Sequence, residues 1–355
     1  MSLPRLMSAV VLTAHGGPEV LHWRDDVPVP LPRDGEVLVE VLAAGVNNTD
    51  INTRLGWYAK TATGGTEEGD VHDEGGFAGA LEFPRIQGAE FCGRIVAIGS
   101  GVTGWSLGRR VICPTNQPEP TDTAPTAYVA LGSDYDGAFA WYCRVPARHL
   151  YDVTESPLSD VEIAALPCAF GTAENLLSRS DVRQGDRVLV TGASGGVGLA
   201  AVQLAKLRGA LVTGQCAAPK AEAVRAAGAG IILDRGATPE PHSADVVIDV
   251  VGGAKWGTLI GALRPAGRYA VSGAIAGPIV EADLRMLYLN DLTLFGCTFQ
   301  PPEVFQRLVR LINQGLVRPL VSAIYPLRDI ARAQVDFLSK QHPGKLVLVP
   351  AEPRA

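Results

Sequence analysis

The segment Val188–Gly214 limits what this chain can fold into more than any other. It reads VLVTG, ASGGVG, LAAVQLAKLRG and ALVTG in succession. A short apolar run ending in glycine predicts a buried strand, the next apolar positions fall at helical spacing, and a second strand follows. A strand, a glycine-rich turn and a helix in that order form the phosphate-binding half of a parallel α/β unit. Gly195 leaves room for a pyrophosphate beside the backbone, and Gly198 lets helix and strand pack closely. The helix start points free N–H groups and its positive dipole end at the phosphates. Ala193 stands where the first glycine of such a turn is usual, which predicts a slightly wider turn. Ser194, Gly196 and Val197 complete the expected cradle.

The same stretch bears on which nucleotide binds. Sites selective for NAD place an acidic residue about 20 positions on, at the end of the second strand, to hold the ribose 2′-hydroxyl. Here that region is VTGQCAAPKAE, with no acidic residue between Asp186 and Glu222. A carboxylate would repel a 2′-phosphate, so its absence favours NADP(H). Lys220 and Arg235 follow the second and third strands. Each is either a partner for that phosphate or an ordinary solvated cation.

A chain of 355 residues suits two domains, and its 47% apolar and 19% charged residues fit a globular protein. No apolar run is long enough to span a bilayer and no signal-like start is present, so a cytoplasmic protein is expected. A net charge of −6 without a basic run gives no footprint for nucleic acid or for a membrane surface. The six scattered cysteines form no C-x-x-C pair and read as small buried thiols. Residues 1–6 read as a leader or a short arm before the strand MSAVVLTAHG.

Up to Leu150 short alternating apolar runs, such as EVLVEVLAAGV and GRIVAIGSGVTGW, predict strands of a barrel-like β domain. Gly56–Glu82 is a long glycine-rich acidic loop, and Thr115–Asp136 is a second irregular insertion. From Asp160 helical and strand patterns alternate, with VEIAALPCAFGTAENLL and WGTLIGALRP as helices, and predict a doubly wound parallel sheet. Ser272, Gly273 and Ala274, and Phe295, Gly296 and Cys297, fall at strand ends and are cofactor-cleft candidates by position.

GPEVL, AAGVNNTDI, IQGAEFCGRIVAIGSGV, GDRVLVTGASGGVG and the closing YPL…GKLVLVP occur in an order that resembles the medium-chain dehydrogenase/reductases, and the likeness covers nearly the whole chain. It implies an α/β protein with a GroES-like β-barrel catalytic domain (7–165 and the return segment 300–355) and a Rossmann doubly wound parallel sheet domain (166–299). The zinc alcohol dehydrogenases of that superfamily carry cysteine and histidine where this chain has Asn47 and Ala89; only Cys168 matches. One thiolate cannot make a catalytic zinc site, which takes three protein ligands. The stretch AGVNNTDINTRLGWY is similar to the zinc-independent quinone oxidoreductase-like branch, which implies hydride transfer from NADPH to a small quinone, enone or related carbonyl. The alternatives are a metal-free carbonyl reductase or alcohol dehydrogenase, and an NADPH-binding protein without catalysis.

The resemblance also implies site residues. Asn47 and Asp50 match N-x-x-D; Asn47 either polarises the acceptor oxygen through its amide N–H or, with Asp50, caps the turn or the following helix. Thr49 or Tyr58 relays a proton, unless water does, and Tyr58 and Trp57 read equally as packing aromatics. Thr172 matches the threonine near the nicotinamide amide or simply starts a helix. The Gly56–Glu82 loop is expected to shape the substrate pocket with Trp57 and Tyr58. The apolar strand LTLFGCT ends the sheet, and such an edge predicts a homodimer.

Overall fold

The structure, a computed structural model, describes residues 3–77 and 79–350. Two units divide it: Thr63–Gly69 and Ala169–Phe305 make one, and the flanking stretches, with Gln306 onward, make the other. Of the expected leader or arm, Met1 and Ser2 lie outside the described residues. Leu6, placed before the first strand by the pattern, opens it instead, opposite Pro28.

The GroES-like unit is built on the strand Glu36–Gly45. Its Val37, Leu38 and Val39 are all buried, so both faces of the strand are covered. Each large apolar side chain buried in this way contributes about 1.5–3 kcal/mol. Phe91–Ile98 and Tyr142–Pro146 pair antiparallel with it. The last strand, Lys345–Val349, also joins it antiparallel, Val347 opposite Gly45, with Val321–Pro326 parallel on its far side. A smaller sheet runs Leu21–Pro28, Leu6–Leu12, Arg85–Ile86. Where Glu36–Gly45 ends, the helix Asn48–Leu55 begins. It stops at Gly56, whose φ of 69° is left-handed and whose missing side chain admits the carbonyl of His72. The long loop thus folds back on the helix end, and the His72 N–H donates to Leu55 O at 2.9 Å.

The Rossmann unit is a six-stranded parallel sheet in the order Ile231–Asp234, Leu211–Cys216, Arg187–Val190, Ala244–Asp249, Leu263–Val271, Thr293–Gly296. Val188, Leu189 and Val190, and Val246, Val247 and Ile248 beside them, are buried, as a sheet covered on both faces requires. The chain winds outward one way from Arg187–Val190 and then the other, so the switch lies between that strand and Ala244–Asp249. Ligands of open α/β sheets bind at the carboxyl ends of such a pair.

Three local expectations change. The insertion Thr115–Asp136 contains a hairpin, Asn116–Pro118 against Tyr128–Ala130. The helix foreseen from Val161 is two, Asp160–Ala164 and Pro167–Arg179. Pro167 separates them because it has no N–H to give and disfavours helical backbone before it. The helix foreseen from Trp256 stops at Gly261, and Leu263 already starts a strand. No helix among the described residues is long and apolar enough to cross a membrane.

Candidate functional sites

In the Rossmann unit the strand Arg187–Val190 runs into the glycine turn. Gly192 takes the left-handed φ of 54°. A Cβ on Gly198 would strike the Gly192 carbonyl and Ala193, so strand turn and helix touch backbone to backbone. Gly195 is different: the nearest atom to a Cβ there is Gly192 O at 3.5 Å. The helix Gly196–Leu207 starts from Gly195 with no side-chain cap. Ser194, Gly196 and Val197 are half-buried around this open start. Such a turn fits a nucleotide pyrophosphate: space at Gly195 and uncapped N–H groups beside it. Ala193 does not line the turn as expected. It is fully buried and belongs to the core, its methyl lying beside the Gly214 position and its N–H donating to Gln215 O.

The turn is fixed from below by Asp249, a residue the sequence reading missed. Fully buried at the end of its strand, Asp249 accepts the Thr191 hydroxyl at 2.6 Å, the Tyr269 hydroxyl at 2.5 Å and the Val251 N–H at 2.9 Å. Three neighbouring strands are thereby tied at their carboxyl ends. Ser272, Gly273 and Ala274 lie in the loop after Leu263–Val271, and Ser272 N–H donates to Asp249 O. Phe295 and Gly296 are in the edge strand. Cys297 follows it, with its thiol buried and pushed up to about 11 by that burial. Thr172 is half-buried within the helix Pro167–Arg179 rather than at its start. Lys220 and Arg235 follow the second and third strands; burial and then the charge of Arg235 push the Lys220 pKa down. The strand Leu211–Cys216 ends on a buried cysteine, without a carboxylate.

In the GroES-like unit the strand end and helix start gather a buried polar cluster. Glu90 Oε1 accepts Lys345 Nζ at 2.7 Å and Asn47 Nδ2 at 2.9 Å, while Oε2 accepts the Cys168 N–H at 2.7 Å. Lys345 also donates to Val46 O at 3.0 Å and to Asn47 Oδ1. The remaining Asn47 N–H points to Gly45 O at 3.4 Å. Asn47 therefore spends its amide inside the cluster. Polarising an acceptor oxygen, one of the two roles expected for it, would need an N–H already committed to Glu90 or Gly45; the other is seen, Asn47 standing at the helix start with Asp50 in its first turn. Asp50 Oδ2 accepts the Asn47 N–H and Oδ1 the Ala89 N–H, each at 3.1 Å. Burial, and then the nearby Glu90 charge, raise the Asp50 carboxyl to about 7. The Cys168 thiol is pushed up to about 12, chiefly by burial. Glu90 and Lys345 also escaped the sequence reading, although GAE and GKL are plain motifs, because nothing local says that they meet.

Beside this cluster Tyr58 donates to Thr49 Oγ1 over a long 3.5 Å. Burial raises the Tyr58 pKa far beyond neutrality, so its hydroxyl stays protonated. Its ring meets Trp57 at 5.5 Å and Phe77 at 5.0 Å, and Phe77 meets Tyr128 at 5.9 Å. Both insertions thus feed one aromatic wall.

The cluster does not fit a zinc ion. Asn47 and Ala89 offer no zinc-binding side chain, Cys168 is held as a thiol, and an ammonium lies against Glu90. Among the described residues no group of three or more His, Cys, Asp or Glu can hold a metal.

The alcohol dehydrogenase GroES-like domain family matches residues 33–155, and the zinc-binding dehydrogenase family matches residues 196–314. The chain is 30% identical to the acryloyl-coenzyme A reductase of Metallosphaera sedula, over 96% of this chain and 99% of that protein. It is 26% identical to human quinone oxidoreductase, over 97% and 98%. Among solved structures, a candidate alcohol dehydrogenase of Sinorhizobium meliloti 1021 is 41% identical with a TM-score of 0.88, covering 98% of each chain.

A GroES-like unit joined to a Rossmann unit with this glycine turn defines a nucleotide-dependent oxidoreductase. The chain belongs to the medium-chain dehydrogenase/reductase superfamily. Its cofactor is a pyridine nucleotide.

Proposed function

We propose that this protein is a zinc-independent, NADP(H)-dependent reductase of small quinones, enones or related conjugated carbonyls. One observation carries the reading: the Lys345 ammonium sits inside the cluster of Asn47, Glu90 and Cys168, 2.7 Å from Glu90. A divalent ion entering there would have to displace a buried cation from its carboxylate.

Oxidation of a simple alcohol needs a strong means of stabilising an alkoxide, such as a metal that brings a water-like pKa from about 15.7 to about 7, and the Asn47–Glu90–Lys345 cluster does not fit one. Hydride addition to a conjugated carbonyl yields a delocalised anion that needs only modest hydrogen-bonding help. The reduced nicotinamide supplies the hydride when bound. The chain's own residues orient and protect. Tyr58 remains a hydroxyl donor across the working pH range and, with Thr49, offers a proton route to the acceptor. Tyr58, Phe77 and Tyr128 present ring faces and edges suited to a flat conjugated molecule.

The preference for NADP(H) is supported by the missing carboxylate at Cys216 and by the paired positive charges of Lys220 and Arg235. The test is NADPH oxidation, followed by absorbance, across quinones, enals, ketones and alcohols, with metal analysis of the same sample. Turnover of quinones or enones that a chelator does not change is expected. Stoichiometric zinc, or activity lost to the chelator, would overturn the reading.

A further inference from the structure

Thr66 lies in the loop between Gly56 and Glu82, about a hundred positions ahead of the Rossmann strands, yet it packs in their unit. Its backbone N–H donates to Ile275 O at 3.0 Å. Gly65 beside it comes so close to Ile275 O, 2.6 Å from where a Cβ would stand, that no side chain fits. Ile275 belongs to the loop after Leu263–Val271, which is itself laced to the loop after Ala244–Asp249. Ala276 N–H donates to Val251 O at 2.9 Å and Gly253 N–H to Gly277 O at 3.0 Å. The strap Thr63–Gly69 therefore rests on the loop after Leu263–Val271, at the carboxyl edge of the parallel sheet, where open α/β sheets take their ligands.

The Thr66 side chain is the odd group in this strap. The residue is 1% exposed, and its hydroxyl has no hydrogen-bond partner among the described residues. Beside it the Glu68 carboxylate accepts the Gly65 N–H at 2.9 Å. Folded proteins pair the large majority of buried hydroxyls, so an exception asks for an explanation, and a bound group that completes the pair is one. A threonine hydroxyl both donates and accepts, as a carboxamide or a ribose hydroxyl requires.

We propose that Thr66 is a binding residue for the nicotinamide-bearing half of the cofactor. On the proposed NADP(H) reading the adenosine half would lie past the glycine turn toward Lys220, so the two halves are separable by experiment. This rests on the dinucleotide reading of the Rossmann unit.

Calorimetric titration of the full chain with NADPH and with 2′-phospho-ADP-ribose, which lacks the nicotinamide, tests it. The parent binding neither would reject the dinucleotide reading itself. With the parent binding both, Thr66→Val should weaken NADPH about fivefold, leave 2′-phospho-ADP-ribose unchanged, and keep or raise the melting temperature. Thr66→Ser should restore the NADPH affinity. Equal NADPH affinity in parent and Thr66→Val, parallel losses for both ligands, or no rescue by serine would each overturn the assignment.

Discussion

Lys345 Nζ lies 2.7 Å from Glu90 Oε1, with the two side chains 4% and 0% exposed. Removing one partner strands the other charge in the core. Lys345→Met should destabilise the protein by about 3–5 kcal/mol, read from urea unfolding, and the double variant Lys345→Met with Glu90→Gln should recover much of that loss. A single variant as stable as the parent would show that the pair is not buried in solution.

The two glycines of the turn should fail differently. Gly198→Ala forces a methyl into the Gly192 carbonyl and Ala193, so it should lower the melting temperature and weaken NADPH together. Gly195→Ala meets nothing closer than 3.5 Å, so it should leave stability unchanged and still cut NADPH affinity, because the methyl takes the space of the pyrophosphate. Stability scans with nucleotide titrations separate the two.

Asp50 predicts a pH dependence. Its carboxyl is raised to about 7 by burial and by Glu90, whereas the unfolded group titrates near the ordinary 3.8. Between these values the folded state holds the extra proton, so stability falls as pH rises through the window and levels off above it. Asp50→Asn should flatten that slope. Urea titrations at several pH values check it, and an unchanged slope would show that Asp50 is ionised throughout.

For nucleotide choice, Lys220→Ala and Arg235→Ala should each raise KM for NADPH about tenfold and leave NADH nearly unchanged, as loss of a charge-assisted phosphate contact requires. Equal effects on both nucleotides would remove these residues from the 2′-phosphate site.

The edge strand Thr293–Gly296 carries Leu294, 42% exposed, and Leu284, Tyr288 and Leu289 before it are also exposed. Sedimentation should give a dimer that Leu294→Lys shifts toward monomer. A monomeric parent would refute the dimer.

What was legible in the sequence was what spacing encodes. The glycine turn and the alternation around it are set by neighbours a few positions apart, so the parallel sheet followed from the pattern. The edges of the reading failed where tertiary packing decides. The motif places Ala193 in the cradle, whereas the structure puts its methyl in the core near Gly214. For Asn47 the pattern leaves two roles open, polarising an acceptor or capping with Asp50; the cap is local and present, whereas the partners that occupy its amide, Glu90 and Lys345, lie 43 and 298 positions away. The place of Thr66 beside Ile275 was equally invisible, since a loop without periodicity gives no sign of what it touches.

The strand Lys345–Val349 completes a sheet whose central strand leaves the ribosome long before it. Until Lys345 emerges, Glu90 has no cation and Gly45 no hydrogen-bonded neighbour on that side. The early part of the nascent chain therefore waits, and a translation product cut short before Gly344 should be a substrate for chaperones and proteases rather than a partly working enzyme.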